Sequence, residues 1–221
     1  MKIAKILVGL ALAAGGAGSA PVEPPLPMAL VMLNPSTAAA ERVPAGWQLK
    51  VNRGTPDLTV ISDGESRVLR FKSSRSSFAI ERAVDIDVNR YPLLTWNWKV
   101  SELPAGGDFR RLSTDDQAAQ VLVVFADHRV LSYIWDTSAP KGTFQSASSV
   151  PLLHIFALVC QSGAAGLNQW TPESHNLAKD YAMAYNRPPS NVKGIRLQIN
   201  TQHTGGSAES YFGDVSFEAA R

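Results

Sequence analysis

Two adjacent carboxylates, Asp115 and Asp116, stand in the stretch RRLSTDDQAAQVLVVF, directly before an apolar run with the composition of a buried strand. A pair of carboxylates is the machinery of glycoside hydrolysis, in which the two groups flank the scissile bond at about 5–9 Å. If strand geometry reaches back to the doublet, successive side chains point to opposite faces. Asp115 is then in phase with Val121, Val123 and Phe125, and Asp116 with Ala118, Gln120 and Leu122. Neighbours arranged that way cannot flank one bond, so the doublet is not expected to be a catalytic pair. Asp115, on the bulky apolar side, needs a polar or cationic partner, with Arg75, Arg82, Arg110 and Arg111 as candidates. Asp116, near Gln120, is the better placed of the two to touch a ligand.

The other reactive types are scattered. His128, His154, His175 and His203 show no i, i+4 spacing of the kind that builds a helical zinc site, so no metal centre is expected. His154 interrupts an apolar run and reads as a hydrogen-bonded core histidine. Cys160 is the only cysteine, which rules out an intramolecular disulfide. Its setting, LLHIFALVCQ, is that of a buried thiol. No Gly-x-Ser-x-Gly elbow supports a serine hydrolase of the α/β type. Glu173, His175 and Asp180 fall together near a helix start and read as a solvated polar face.

The elements that must position these groups are strands. RVLRFKSS, SFAIERAV, LLTWNWKV, QAAQVLVVFA, VLSYIW, LLHIFALVCQ, VKGIRLQIN and SYFGDVSFE are rich in β-branched and aromatic residues, and many are separated by Gly, Pro, Asn, Asp or Ser. Parity puts Leu94, Trp96, Trp98 and Val100 on one face, opposite the polar Thr95, Asn97 and Lys99, so the tryptophans read as core. A stacking platform for sugar rings is the competing role for Trp96 and Trp98. In VLSYIW neither face is clearly wet, which leaves Tyr133 and Trp135 open as ligand contacts. Trp170, in a loop, either packs or lines a pocket. The segment TPESHNLAKDYAMAYNRPP predicts one amphipathic helix over about 172–186, with Thr171 as N-cap, Pro172 at its first position, and Pro188 and Pro189 ending it.

The first 20 residues, MKIAKILVGLALAAGGAGSA, have the basic start, short apolar stretch and small-residue end of a secretory signal. The apolar part is too short for a membrane span, which needs about 20 residues. Cleavage after Ala20 removes Lys2 and Lys5, and the formal net charge falls from +2 to 0. No basic surplus or run remains, so the electrostatic footprint of a nucleic-acid binder is absent. A Pro- and Ala-rich spacer follows over 21–45, with room for a first strand. The remaining 46–221 predict a single domain, an expectation in line with 221 residues at 45% hydrophobic content. There is no βαβ alternation to suggest a doubly wound nucleotide-binding fold.

Taken in order, several pieces resemble a bacterial secreted family catalogued as domain of unknown function 3047. They are Gly46-Trp47, VLRFKSS, PLLTWNWKV, DDQAAQVLVVF, YIW, NLAKDY, PPSNVKGI, Thr204-Gly205 and YFGDVSF. The resemblance implies a β-sandwich of the jelly-roll, carbohydrate-module kind and no established activity. In the family pattern acidic residues precede the Thr-Gly, whereas Asn200, Gln202 and His203 stand there in this chain. Hard cations favour charged oxygen ligands, so a cation site at that place is weakened.

The resulting expectation is an all-β protein, a jelly-roll sandwich with one helix, located in the periplasm or secreted. It binds an envelope or extracellular glycan without turning it over, needs no cofactor and binds no nucleic acid. Asp116, Gln120, Tyr133, Trp135, Trp170 and His175 are the candidate ligand contacts, and no residue is assigned a catalytic role. The alternatives are a polysaccharide hydrolase or lyase on the same scaffold and a structural or protein-interacting envelope component.

Overall fold

Strands dominate because bulky apolar and small or polar residues alternate along most of the chain. The computed structural model describes residues 29–37, 43–147 and 154–219. The expected signal segment and much of the spacer lie outside these residues. In chain order the strands are β1 (Ala29–Leu33), β2 (Gln48–Arg53), β3 (Asp57–Asp63), β4 (Ser66–Ser74), β5 (Ser77–Ile86), β6 (Leu93–Glu102) and β7 (Ala119–Phe125). They continue with β8 (Arg129–Asp136), β9 (Phe144–Ser146), β10 (His154–Ser162), β11 (Thr171–Asn176), β12 (Val192–Asn200) and β13 (Ser207–Glu218).

These strands form two sheets. One has the order β11-β6-β13-β4-β3, with β1 also paired to β13; the other runs β2-β5-β12-β7-β8-β10-β9. Every pairing is antiparallel except β8 with β10, which run parallel. The inward faces meet in one core that includes Trp96, Trp98, Phe125, Tyr133, Trp135, Leu197 and Phe212. Trp96 and Trp98 are 2% and 0% exposed, and their rings lie edge to face at 5.3 Å. The parity argument for them therefore holds, and neither is a platform for a ligand. Among the described residues the architecture is the expected all-β jelly-roll sandwich with one α-helix. No helix among the described residues is long and apolar enough to cross a membrane.

The helix is shorter than expected. Residues Thr171–Asn176 are strand β11, hydrogen-bonded along β6, and the helix α1 spans Leu177–Tyr185. Its N-cap is Asn176, whose side chain accepts from the Lys179 N–H at 3.0 Å, so Thr171 has no capping role. β11 is an edge strand, which is why Pro172 fits within it. Leu177 and Tyr181 face the core as the helical spacing required. His154 corrects another expectation: it begins β10 at the surface and is exposed.

Candidate functional site: a groove on the seven-stranded sheet

The outer face of the seven-stranded sheet is partly covered. The segment before β7 and the connection from β8 to β9 fold over it, and Phe109, Ile134, Ala139, Ala157 and Val159 form a second small core there. This explains why VLSYIW showed no wet face, since Ile134 is buried on one side and Tyr133 on the other. What remains open beside the cover is a groove of about 290 Å³.

Strand register builds its floor. Gln198 on β12 lies opposite Gln120 on β7, which lies opposite Ile134 on β8. One rung away, Arg196 pairs with Leu122, Leu122 with Ser132, and Ser132 with Ala157. One rung the other way, Asn200 pairs with Ser77. Asn52, Gln117, Gln202 and His203 add further polar groups at the rim. The lining thus sets six side-chain amides beside an apolar surface of Phe109, Leu122, Ile134, Ala147, Ile155 and Ala157. The Arg196 Nε is buried and has no hydrogen-bond partner among the described residues, a cost a bound acceptor would remove.

Asn200 ties this floor to the acidic doublet. Its Oδ1 accepts from Gln120 Nε2 at 2.6 Å and from the Gln117 N–H at 3.0 Å. Its Nδ2 donates to the Asp115 carbonyl at 2.6 Å and to Asp116 Oδ1 at 3.2 Å. Asp116 is 0% exposed. Its carboxylate also accepts from the backbone N–H groups of His203 and Thr204 and from the Thr204 hydroxyl. The expected roles of the two acids are therefore exchanged. Asp115 lines the groove, held by Gln117 Nε2 at 2.9 Å, and Asp116 lies beneath the turn that carries His203.

The exchange has a local cause. Strand β7 starts only at Ala119, residues Leu112–Thr114 form a 3-10 turn, and Asp115 has φ −71° and ψ 67°. Strand parity does not extend to the doublet. None of the four proposed arginines bonds to Asp115; Arg110 pairs with Asp108 at 2.8 Å and Arg82 donates to the Met32 carbonyl at 2.7 Å. Burial pushes the Asp115 carboxyl above its ordinary range, against the hydrogen bond from Gln117 and the His203 charge.

The remaining candidates do not converge on the groove. Tyr133 and Trp135 are each 1% exposed, so both are core residues and not ligand contacts. Trp170 is 37% exposed on the other sheet; its Nε1 donates to Asp63 at 2.7 Å, and Lys99 Nζ sits 5.3 Å from its ring centroid. It borders a shallow depression of about 370 Å³ with Asp63, Arg67, Asn97 and Asp214. Of the six candidates, Gln120 alone lies in the groove lining.

His175 belongs to a third place, the edge of the sandwich where β10 and β11 approach each other. Its Nε2 is 3.5 Å from Cys160 Sγ and 3.6 Å from Glu173 Oε2, and its Nδ1 is 3.4 Å from Asp180 Oδ2. The imidazole stacks on Trp96 at 5.3 Å. Burial opposes its cationic form, but hydrogen bonds to Asp180, Cys160 and Glu173 outweigh this and push its pKa up to about 11. Glu173, His175 and Asp180 are therefore not a solvated face, and sequence reasoning did not bring Cys160 to them. The strands carrying them belong to different sheets, so no spacing announced the cluster.

The chain course is similar to that of several solved structures. One is a family 11 carbohydrate-binding module of a cellulosomal cellulase from Clostridium thermocellum, at 7% identity over 86% of this chain and 94% of that chain, TM-score 0.45. Another is a family 30 carbohydrate-binding module of a Clostridium thermocellum cellulosomal cellulase, at 9% identity over 86% and 97%, TM-score 0.46. A third is the xyloglucanase domain of a type three effector from Sinorhizobium fredii in complex with cellobiose, at 10% identity over 79% and 93%, TM-score 0.49. No curated protein matches the chain. The model of the family described as Protein of unknown function (DUF3047) matches residues 45–216, and the chain belongs to that family.

Proposed function

We propose that this protein is exported to the periplasm or the cell exterior and binds a glycan along the groove of the seven-stranded sheet without cleaving it. The observation that carries the reading is the composition of the groove: the amides of Gln120 and Gln198 on the neighbouring strands β7 and β12, with Asn52 on β2 beyond β5, next to the apolar Leu122 and Ile134. A side-chain amide both donates and accepts hydrogen bonds, which matches the paired hydroxyls of a sugar. The apolar strip suits the C–H face of the ring.

Cleavage by the two-carboxylate route is disfavoured by the same lining. Among the described residues Asp115 is the one carboxylate at the groove, whereas the acid and its counterpart must both reach the scissile bond. Asp116 is spent on the turn at His203 and Thr204. Export follows from the signal-like first 20 residues.

A glycan array probed with the purified mature protein, combined with product analysis of each bound glycan, tests this. Retention of a glycan with unchanged chain length supports it. Release of shortened or unsaturated products overturns the non-catalytic part. Failure to bind any glycan, with co-purification of a protein, overturns the reading in favour of a structural partner role.

A further inference from the structure

We propose that Cys160, Glu173 and His175 form a binding site for a zinc-class divalent transition-metal ion, one that clips the two sheets together at the edge of the sandwich. One ligand atom from each of the three residues lies within 4.8 Å of the others. A zinc ion with bonds of about 2.3 Å to sulfur and about 2.0–2.2 Å to nitrogen or oxygen, at tetrahedral angles, sets its donors about 3.4–3.6 Å apart. Cys160 Sγ to His175 Nε2 is 3.5 Å and His175 Nε2 to Glu173 Oε2 is 3.6 Å, so two of the three donor pairs stand at those separations already, and the third lies within 4.8 Å.

The surroundings are those of a supported ligand set. The other ring nitrogen of His175 faces Asp180 Oδ2 at 3.4 Å, and that same oxygen accepts from the Tyr133 hydroxyl at 2.8 Å. An ion at Nε2 displaces the proton the metal-free ring carries there, and the carboxylate on the far side then fixes the remaining N–H and the orientation of the ring. Trp96 stacks on the ring, and the second Glu173 oxygen accepts from Gln161 Nε2 at 2.7 Å. The side chains of His175 and Glu173 on β11 are partly open, to 18% and 12%, which provides an entry path and room for a water as fourth ligand. Thiolate, imidazole and one carboxylate together select zinc-like ions over calcium or magnesium, whose ligands are oxygens. Cys160 comes from β10 in one sheet and the other two ligands from β11 in the other sheet, so the ion bridges the layers.

Cobalt(II) is the probe. Chelator-treated, reduced protein titrated with cobalt should develop a thiolate charge-transfer band in the near ultraviolet and tetrahedral d–d bands in the visible, complete at one equivalent and displaced by zinc. Cys160→Ser should abolish the near-ultraviolet band. Asp180→Asn should keep the bands and weaken affinity by about 10–100-fold, and His128→Ala should change nothing. Glu173→Gln, at a partly exposed position, should keep the charge-transfer band and bind at least about tenfold more weakly, which decides the matter if Cys160→Ser fails to fold. No band from folded wild-type protein at stoichiometric cobalt, a band that persists in Cys160→Ser, or an unchanged affinity in Glu173→Gln would each overturn the proposal.

Discussion

Asp116 grips Thr204 twice, accepting from its backbone N–H at 2.6 Å and from its hydroxyl at 2.8 Å. With the His203 N–H at 3.0 Å, this buried carboxylate fixes the turn after β12 against the start of β7. Two short motifs far apart in the chain, the acidic doublet and the Thr-Gly, thus form one anchoring unit at the end of the groove.

Because a buried carboxylate deprived of charge-assisted hydrogen bonds loses about 1.5–3 kcal/mol for each, Asp116→Asn should lower unfolding stability by about 2–3 kcal/mol. Thr204→Val, which removes one of these bonds, should cost about 1.5–3 kcal/mol. Denaturant titration of the two single variants and the double variant should show strong coupling; additive effects would deny the link.

Asp115 should behave in the opposite way. Burial raises its folded carboxyl above the ordinary range. A raised pKa contributes stability that is fully present below the unfolded value, near 3.8, and is lost as pH rises through the folded value. Asp115→Asn should therefore be at least as stable as wild type at neutral pH. Melting temperatures of the two proteins across pH 3–8 check this as an order-of-magnitude window: wild type should lose ground to the variant as pH rises, and a wild type that gains ground contradicts the burial argument.

Trp98 and Trp135 are the largest of the fully buried side chains, and Trp98 packs against Trp96, Trp135 and Phe212. Trp98→Ala should cost about 3–5 kcal/mol. A near wild-type unfolding curve would remove it from the core.

Export should leave a mature chain that begins near Pro21. N-terminal sequencing of periplasmic or secreted material reads this directly, and material still starting at Met1 would contradict it.

Much of the fold was legible because core strands alternate sharply. The eight strands expected in the sequence correspond to β4, β5, β6, β7, β8, β10, β12 and β13. The ones not anticipated as such are mostly edges or short pieces: β2 is exposed at all six residues, β9 has three residues, and β11 carries Thr, Pro, Glu, Ser, His and Asn. Edge strands are kept polar and irregular, so they lose the very signal that marks a strand. The sites were harder still. Asp115 and Asp116 exchanged roles because the strand begins three residues after the doublet, and one residue of register decides which side a group faces. Gln120 was found because its parity within β7 is real. Arg196 and Gln198 were passed over: one polar residue on each alternate position of an apolar strand looks like an ordinary wet face, and only pairing with β7 brings them into the groove.

The central claim is that the amides of the seven-stranded sheet bind a glycan. Calorimetric titration with the best glycan from the array, comparing wild type with Gln198→Ala, tests it most directly. The Gln198 side chain makes no hydrogen bond to another described residue and is half-buried, so truncating it should leave the melting temperature unchanged. Removing one amide contact worth about 1 kcal/mol should weaken binding by about fivefold. Unchanged affinity in a folded Gln198→Ala protein, alongside lost affinity in Trp170→Ala on the other sheet, would contradict the account.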